Sequence, residues 1–353
     1  MRGAADVNVH SFDPLADSRW ADFVRRHPRS SVFHTPGWLD ALQRTYGYAA
    51  VACTTSAPGE RLDNAIVFSE VRSWLTGRRL VSVPFADHCE PLVDEPLDRA
   101  AICAELERAV AARRWRSVEL RPLTPRFRES GRARQGSSFC FHSLDLRPPL
   151  DDLFGRFHRD SIQRKVRRSQ REGLQFDAGT SEAHLQKFYA LLLLTRRRHQ
   201  LPPQPIEWFR NLVACLGARL RICLASKDGR AIAAIVLLRH EDTAVYKYGA
   251  SDASVHNLGG MPFLFWNVIQ HARNDGACRL DLGRSDLDNA GLMTFKDRLG
   301  AERSELRYLR YAGCSPAKSE AGWGARMAQR VIADVLPDRL FVSAGRLLYR
   351  HFG

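Results

Sequence analysis

Two consecutive prolines, Pro148 and Pro149, interrupt this 353-residue chain. A proline ring fixes φ and removes a backbone donor, so a proline pair ends both helices and strands. The chain is also longer than one ordinary domain. We therefore predict a lobe boundary at this pair, with one lobe at residues 1–146, a second at residues 147–312 and a tail at residues 313–353.

On both sides of the prolines, strand-like segments alternate with helix-like segments. In the first lobe, the helical patterns Leu15–His27 and Asp98–Ala112 are separated by short strand-like stretches. In the second lobe, Ser181–Gln200 and Met261–Asp275 have helical patterns, and Asp228-Gly229 predicts a hairpin. This alternation predicts an α/β fold with a mixed sheet in each lobe, and the similar order predicts a tandem, duplicated arrangement.

The charge balance points to an anionic partner. The chain has 53 Lys and Arg against 39 Asp and Glu, which gives a net charge of +14. Nucleic acid, an anionic lipid surface and a phosphate-bearing small molecule all fit this charge. An arginine-rich surface that reflects only biased genome composition is the alternative.

The eight cysteines are scattered, with no C-x-x-C pair and no histidine cluster beside them, so we predict no metal site. Their apolar neighbours in the sequence predict that the cysteines are small buried side chains. Their scatter along the chain predicts free thiols in a reducing compartment. The longest apolar runs, Tyr189–Leu194 and Ala231–Leu238, are too short to span a bilayer. The N-terminus lacks the apolar core of a signal peptide, so we predict a cytoplasmic protein.

The most distinctive stretch combines a strand, a glycine turn and a helix. The strand Tyr246–Asp252 leads through Gly259-Gly260 into a long apolar helix, and the chain continues through Leu280–Asn289 to Phe295-Lys296. Free N–H groups at the start of that helix would favour an anionic or carbonyl oxygen. A tight turn with no ligand is the alternative.

This order of strand, glycine turn, helix, Asp-x-Gly-Arg-Ser strand and Phe-Lys resembles the GNAT superfamily of N-acetyltransferases. It is most similar to the tandem-lobed branch that contains the Fem peptidyltransferases and acetyltransferases linked to extracellular polysaccharide. In the first lobe, Phe33–Trp38 and Pro84–Asp94 carry the same resemblance. The resemblance implies direct attack of an amine on an activated acyl donor, either acyl-coenzyme A or aminoacyl-tRNA.

The resemblance also implies roles for individual residues. Gly259 and Gly260 would bind the donor, although the loop His256–Met261 departs from the usual pyrophosphate-binding pattern at its first and last positions. Lys296 would stabilise the oxyanion at the reacting carbonyl, and Phe295 precedes it as in the Fem enzymes. A surface lysine paired with Asp297 or Glu302 is the alternative.

Three further candidates follow from the resemblance. Asp94 would orient the acceptor or take its proton, or else cap the turn before Pro96. Tyr248 would contact the acceptor, or else be an ordinary core aromatic. Trp38, in the matching first-lobe segment, is a candidate substrate contact.

A basic helix at Ser161–Glu172 is the densest charge cluster. Spacings of three and four place Arg164, Arg168 and Arg171 on one face, without evident acidic partners. Arginine pairs bind phosphates through bidentate hydrogen bonds. We expect Arg164 and Arg168 to bind a phosphate-bearing or lipid-linked acceptor; a solvated face is the alternative.

The favoured function is therefore an N-acyltransferase that acts on an amino group of a cell-envelope or polysaccharide precursor, with acetyl-coenzyme A as donor and no metal. Aminoacyl transfer from tRNA is the second hypothesis, and a non-catalytic nucleic-acid-binding protein is the third; no DNA partner is expected. In the tail, Met327–Leu336 and Arg339–His351 have basic amphipathic patterns. Such a helix can lie on an anionic membrane or dock on the second lobe.

Overall fold

The computed structural model describes residues 7–74, 76–127, 133–312 and 337–352. The chain forms two compact units. Unit 1 contains residues up to Phe139, the segment from Leu306 and the C-terminal segment Leu347–Gly353, and unit 2 contains Cys140–Glu305 and Glu320–Arg346. The strand Glu302–Ala312 lies at the end of the predicted second lobe, residues 147–312, but from Leu306 onward it belongs to unit 1.

Unit 1 is a mixed sheet with helices. Its sheet order is β1-β2-β3-β4-β5-β12, and all neighbours are antiparallel except β4 and β5. The elements are β1 (His10–Phe12), α1 (Arg19–Arg26), α2 (Pro36–Tyr46), β2 (Ala49–Thr54), β3 (Ile66–Ser73), β4 (Gly77–Val81), α3 (Pro96–Ala111), β5 (Ser117–Leu120) and β12 (Glu302–Ala312).

The local chemistry of unit 1 explains these elements. Thr35 caps α2 by accepting from the Trp38 N–H, and Pro36 occupies the first turn, where no backbone donor is needed. Ile102 and Leu106 of α3 are buried in one apolar cluster with sheet residues, as their helical spacing predicts.

Unit 2 is a second mixed sheet, with the order β6-β11-β10-β9-β8-β7. All neighbours are antiparallel except β10 and β11. The elements are β6 (Arg134–Asp145), α4 (Leu150–Arg156), α5 (Arg164–Arg171), β7 (Gln175–Gly179), α6 (Glu182–Arg198), α7 (Ile206–Leu216), β8 (Leu220–Lys227), β9 (Arg230–His240), β10 (Thr243–Ser251), α8 (Gly260–Asn274), β11 (Arg279–Ser285), α9 (Ala290–Arg298) and α10 (Asp338–Phe352). Of these, β6 belongs to unit 2 from Cys140 onward, and α10 belongs to unit 2 up to Arg346.

The core of unit 2 lies between its sheet and α8. Phe265 and Ile269 of α8 are fully buried in a cluster with Ile235 of β9 and Leu280 of β11. The predicted hairpin between β8 and β9 is confirmed, and Gly229 takes the positive φ of +78° that this turn requires. The mixed α/β class predicted from the alternation of patterns is confirmed in both units.

The tail is described only from residue 337. The predicted helix Arg339–His351 is confirmed as α10, whereas the predicted helix Met327–Leu336 lies outside the described residues. Within unit 2, Phe341 of α10 is fully buried and lies under the Arg197 guanidinium, 4.7 Å from its carbon to the ring centroid. Arg197 also pairs with Asp338 at 2.6 Å. One face of this helix is therefore docked.

None of the helices in these described ranges is long and apolar enough to cross a bilayer. The seven cysteines that the structure describes are all free thiols, and five of them are buried. Burial raises the pKa of the Cys223 thiol to about 12, so this thiol stays protonated at neutral pH. The five buried cysteines are small core side chains, as the sequence predicts, whereas Cys215 is partly exposed and Cys278 is exposed.

Candidate functional site

The strands β10 and β11 of unit 2 stop pairing before they end. Their parallel pairing runs from Thr243–Arg279 to Val245–Asp281, although β10 continues to Ser251. A bulge between Tyr246 and Tyr248 also shifts the pairing of β10 with β9. Bulges bend a strand and re-aim its side chains, and they often occur beside functional sites.

A cavity of about 630 Å³ lies beside the half of β10 that no longer pairs with β11. Its wall includes Tyr246 and Gly249 from β10, Gly260 from the start of α8, and Phe295 from α9. The ring of Phe295 packs on Phe265 with centroids 5.4 Å apart, which makes this wall apolar. A cavity of this size is large enough for part of a small-molecule cofactor.

The predicted glycine turn forms the entrance of α8. Gly259 has φ +76°, and a Cβ there would lie 2.9 Å from the Lys165 backbone oxygen. Gly260 is buried, and its Cβ would meet Ala233 at 3.1 Å. Gly259 is therefore required by close backbone approach, whereas a Cβ at Gly260 would press on the side chains of Ala233 and Ile232. The first N–H groups of α8, which have no acceptor within the helix, lie beside the cavity and favour a negative ligand.

Cationic side chains surround the same helix start. Lys165, Arg198 and Arg298 line the cavity, together with His199, whose pKa is lowered by burial so that its ring is neutral at pH 7. Asp252 is the one acidic residue among the described residues that line it, and it is paired with Arg230 at 2.6 Å. The cavity wall therefore carries a net positive charge.

His256 adds a polar contact to this wall. Its Nε2 lies 3.0 Å from Ser251 Oγ and 3.3 Å from an Arg198 nitrogen. Because a guanidinium only donates, Nε2 accepts, and the ring proton is assigned to Nδ1. Burial lowers the pKa of His256, and the charges of Arg198 and Lys165 lower it further. The ring is therefore neutral at pH 7.

Lys296 lies outside the cavity wall. It is 2% exposed, and its Nζ donates to Gly283 O at 3.1 Å, Arg284 O at 3.0 Å and Ser285 Oγ at 2.9 Å. These three bonds hold α9 against the irregular part of β11. Asp297 pairs instead with Arg303. Lys296 is thus not a surface lysine, and its role at the reacting carbonyl stays a prediction.

Tyr248 faces away from the cavity. Its hydroxyl accepts from Trp208 Nε1 at 2.9 Å, and its ring packs on Phe209 at 5.1 Å. The side chain is 9% exposed and belongs to the packing between β10 and α7. Its predicted contact with the acceptor has no support from this position.

The two first-lobe candidates lie in unit 1. Asp94 is half-exposed and pairs with Arg29 and, at 3.1 Å, with Arg126. The hydrogen bond from Arg29 lowers the pKa of Asp94 below its usual value, which makes the carboxylate a weak base. Trp38 is fully buried and packs edge-on against Phe33 at 4.9 Å. The predicted substrate contacts of both residues stay predictions.

The basic helix α5 differs from expectation in its pairing. Arg164 pairs with Asp160 at 3.0 Å, and Arg168 pairs with Glu172 at 3.6 Å, so the expected absence of acidic partners is wrong. Acids four residues away along the helical backbone provide these contacts. Both arginines remain exposed and line a shallow groove with Arg167 and Arg171. Exposed pairs of this kind are weak, so a phosphate can displace them.

Sequence reasoning missed most of the polar wall. His256 was noted only as a departure from the pyrophosphate-binding pattern, and Lys165 only as part of a basic run. Arg198 and Ser251 were not selected, and neither was Thr195, whose Oγ1 accepts from the Ser251 N–H at 2.9 Å. These residues come from separate segments, so only the tertiary fold brings them together.

Three comparisons bear on the family. The model of the acetyltransferase (GNAT) domain matches residues 156–297, which contain the described residues of the cavity wall apart from Arg298. A UDP-N-acetylmuramoylpentapeptide-lysine N(6)-alanyltransferase of Weissella viridescens is 27% identical over 137 residues, which is 37% of this chain and 40% of that protein. The chain thus aligns with less than half the length of this curated relative.

Solved structures show a fold that covers both units. The crystal structure of FemX matches with a TM-score of 0.66, 14% identity, and coverage of 84% of this chain and 96% of that one. The C-terminal domain of a putative lysylphosphatidylglycerol synthetase from Agrobacterium fabrum matches with a TM-score of 0.56, 16% identity, and coverage of 89% and 94%. A tandem GNAT protein from the clavulanic acid biosynthesis pathway matches with a TM-score of 0.53, 14% identity, and coverage of 88% and 100%.

Residues 156–297 thus match the acetyltransferase (GNAT) domain, and the chain has the fold seen in FemX and in a tandem GNAT protein.

Proposed function

We propose that this protein is an N-acyltransferase that holds its acyl donor in the cavity of unit 2. The observation that carries the proposal is the convergence of Lys165, Arg198 and His256 at the glycine start of α8, beside an apolar wall. The cationic end matches a diphosphate, and the apolar wall containing Phe295 matches the pantetheine arm and acyl group of acetyl-coenzyme A.

The proposed reaction is direct transfer. An acceptor amine attacks the carbonyl carbon of the thioester, a C–N bond forms, the C–S bond breaks, and the proton lost by the amine balances the thiolate. The described cavity wall has no cysteine. Its Ser251 is hydrogen-bonded to His256, but among the described contacts no carboxylate is hydrogen-bonded to that ring, so the serine lacks a complete Ser–His–Asp arrangement. This wall therefore supports attack by the acceptor itself rather than a covalent enzyme intermediate.

The proposed acceptor is an amino group of a cell-envelope or polysaccharide precursor that carries phosphate or a lipid-linked diphosphate. The likeness to the Weissella alanyltransferase supports an envelope precursor. The exposed arginine groove of α5, with Arg164 and Arg168, supports a phosphate on the acceptor. We also propose that the protein works in the cytoplasm, where acyl-coenzyme A and such precursors occur together.

A second candidate is aminoacyl transfer from tRNA. The same alanyltransferase likeness and the net charge of +14 favour it. The two candidates differ in the ligand that stabilises the folded protein. Thermal unfolding with acetyl-coenzyme A, alanyl-tRNA or uncharged tRNA separates them. A rise in Tm with acetyl-coenzyme A alone supports the first candidate, and a rise with alanyl-tRNA that exceeds uncharged tRNA supports the second.

The cationic wall gives a direct prediction. We expect the double variant Lys165→Ala, Arg198→Gln to weaken acetyl-coenzyme A binding by roughly 10²-fold, because two charge-assisted hydrogen bonds to phosphate are lost. Both side chains are exposed, so the fold should persist. Isothermal titration measures the change. Arg219→Gln, an exposed arginine outside both grooves, is the control and should bind like the wild type. Equal affinity of the double variant and the control would contradict the donor site.

The arginine groove gives a separate prediction. We expect Arg164→Gln, Arg168→Gln to raise the KM for a phosphate-bearing acceptor by about 10-fold at low salt and by less at high salt, since the contacts are exposed and screened. The affinity for acetyl-coenzyme A should not change. Steady-state kinetics with an amino-bearing nucleotide sugar as the acceptor measures this KM. If donor affinity falls and the acceptor KM does not, the groove belongs to the donor.

A further inference from the structure

The outward face of helix α10 combines arginines with exposed leucines. Leu340 is 55% exposed and Leu347, two turns later, is 64% exposed. Arg339, Arg346 and Arg350 are also exposed, and at 100° per residue they share one stripe of the helix that borders the two leucines. This surface is therefore apolar along one edge and cationic along the next.

The arginines of this face are available for a partner. Within the residues that the structure describes, no ion pair joins any of the three to an acidic group. The acidic residue of the helix, Asp338, pairs with Arg197 instead. Three arginines on one face without acidic neighbours repel one another, and an anionic surface would relieve that repulsion.

The C-terminal end of α10, from Leu347 onward, is held by hydrogen bonds within unit 1. The His351 carbonyl accepts from Thr76 Oγ1 and from Arg79 Nη2, each at 3.2 Å. The His351 ring lies 3.1 Å from Ser73 Oγ, and the Tyr349 carbonyl accepts from a tyrosine hydroxyl. These bonds satisfy carbonyls that the helix end leaves open and set its rotation.

The same contacts place a tryptophan beside the apolar edge. Trp74 lies in the turn after β3, and its ring is 5.8 Å from the His351 ring in an edge-on arrangement. It is 81% exposed, more than any other large apolar side chain in the described residues. His351 lies one turn after Leu347 on α10. Trp74 therefore extends the leucine edge of the helix.

We propose that Trp74 and the outward face of α10 form a contact surface for anionic lipid headgroups. Tryptophan and leucine insert at the boundary between headgroups and acyl chains, while arginines contact the phosphates. RNA would use the arginines, but it would leave the exposed leucines without a function. The inference is independent of the donor site, because none of these residues lines the cavity of unit 2.

The test is co-sedimentation of the full-length protein with vesicles of phosphatidylcholine, with and without phosphatidylglycerol. We expect binding to the anionic vesicles that falls with salt, and at least 10-fold weaker binding to neutral ones. Arg339→Gln, Arg346→Gln, Arg350→Gln should lose about 100-fold in the anionic partition coefficient. Trp74→Ser, Leu347→Ser should lose about 10-fold or more.

Matched control variants distinguish binding through this surface from attraction by the net charge of the protein. Arg25→Gln, Arg61→Gln, Arg108→Gln removes three exposed arginines elsewhere and should bind vesicles nearly as the wild type does. Leu97→Ser, at another exposed leucine, should also bind normally. The proposal is overturned if the full-length protein ignores anionic vesicles at low salt, or if both arginine triples lose binding equally. It is also overturned if the α10 arginines bind tRNA while the Trp74 and Leu347 changes alter nothing.

Discussion

Lys296→Met is expected to lower turnover by roughly 10²–10³-fold, with little change in the affinity for either substrate. The Nζ of Lys296 is buried and donates to two carbonyls and a hydroxyl of the β11 bulge. Under the proposed role, this ammonium stabilises negative charge as the tetrahedral intermediate forms. Steady-state kcat and KM for donor and acceptor measure the effect.

The buried position of Lys296 requires a second measurement. Methionine leaves three acceptors without a donor, which costs about 1–3 kcal/mol for each group that water does not reach. We therefore expect Tm to fall as well. Lys187→Met, at an exposed lysine of α6, should change neither turnover nor Tm. Turnover at the wild-type level in a folded Lys296→Met protein would remove Lys296 from the catalytic machinery.

Gly259→Ala is expected to abolish measurable donor binding and to lower stability. Two effects add at this residue. An alanine at φ +76° costs about 1–2 kcal/mol. Its Cβ would also lie 2.9 Å from the backbone oxygen of Lys165, so α5 or the start of α8 must move. Because both α5 and the start of α8 line the cavity, that movement displaces the groups that are proposed to contact the phosphates.

The structure provides a close control for this change. Gly229 has φ +78°, nearly the same backbone conformation, but a Cβ there meets nothing within 4 Å. Gly229→Ala should therefore show the backbone cost alone and keep donor binding. Thermal unfolding and titration with acetyl-coenzyme A compare the two variants. Equal behaviour of the two alanine variants would show that the approach of Gly259 to α5 is unimportant.

The sequence predicted the parts of the fold that depend on local chemistry. The predicted helix Met261–Asp275 corresponds to α8. The Asp228-Gly229 hairpin also depends on local backbone preference. The pairing of β12 with β5 was not foreseen, because strand neighbours far apart in sequence are set by packing rather than by local pattern.

The candidate site also combines residues that local sequence signals predict with residues that only the tertiary fold brings together. The glycine turn was predicted at Gly259 and Gly260, since a positive φ and a helix start have local signals. The cations Lys165 and Arg198 come from α5 and α6, and no local signal distinguishes them from the neighbouring surface arginines. Tyr248 was selected by its motif, but the bulge in β10 turns it toward α7, and bulges have no dependable sequence pattern.

The central claim is that the cavity of unit 2 holds the acyl donor. A crystal structure of the full-length protein with acetyl-coenzyme A tests it most directly. We predict density for the diphosphate within hydrogen-bonding distance of Arg198 and the N–H groups at the start of α8, and density for the thioester beside Phe295. Donor density in the Arg164 and Arg168 groove, or an empty cavity at a saturating concentration, would contradict the account.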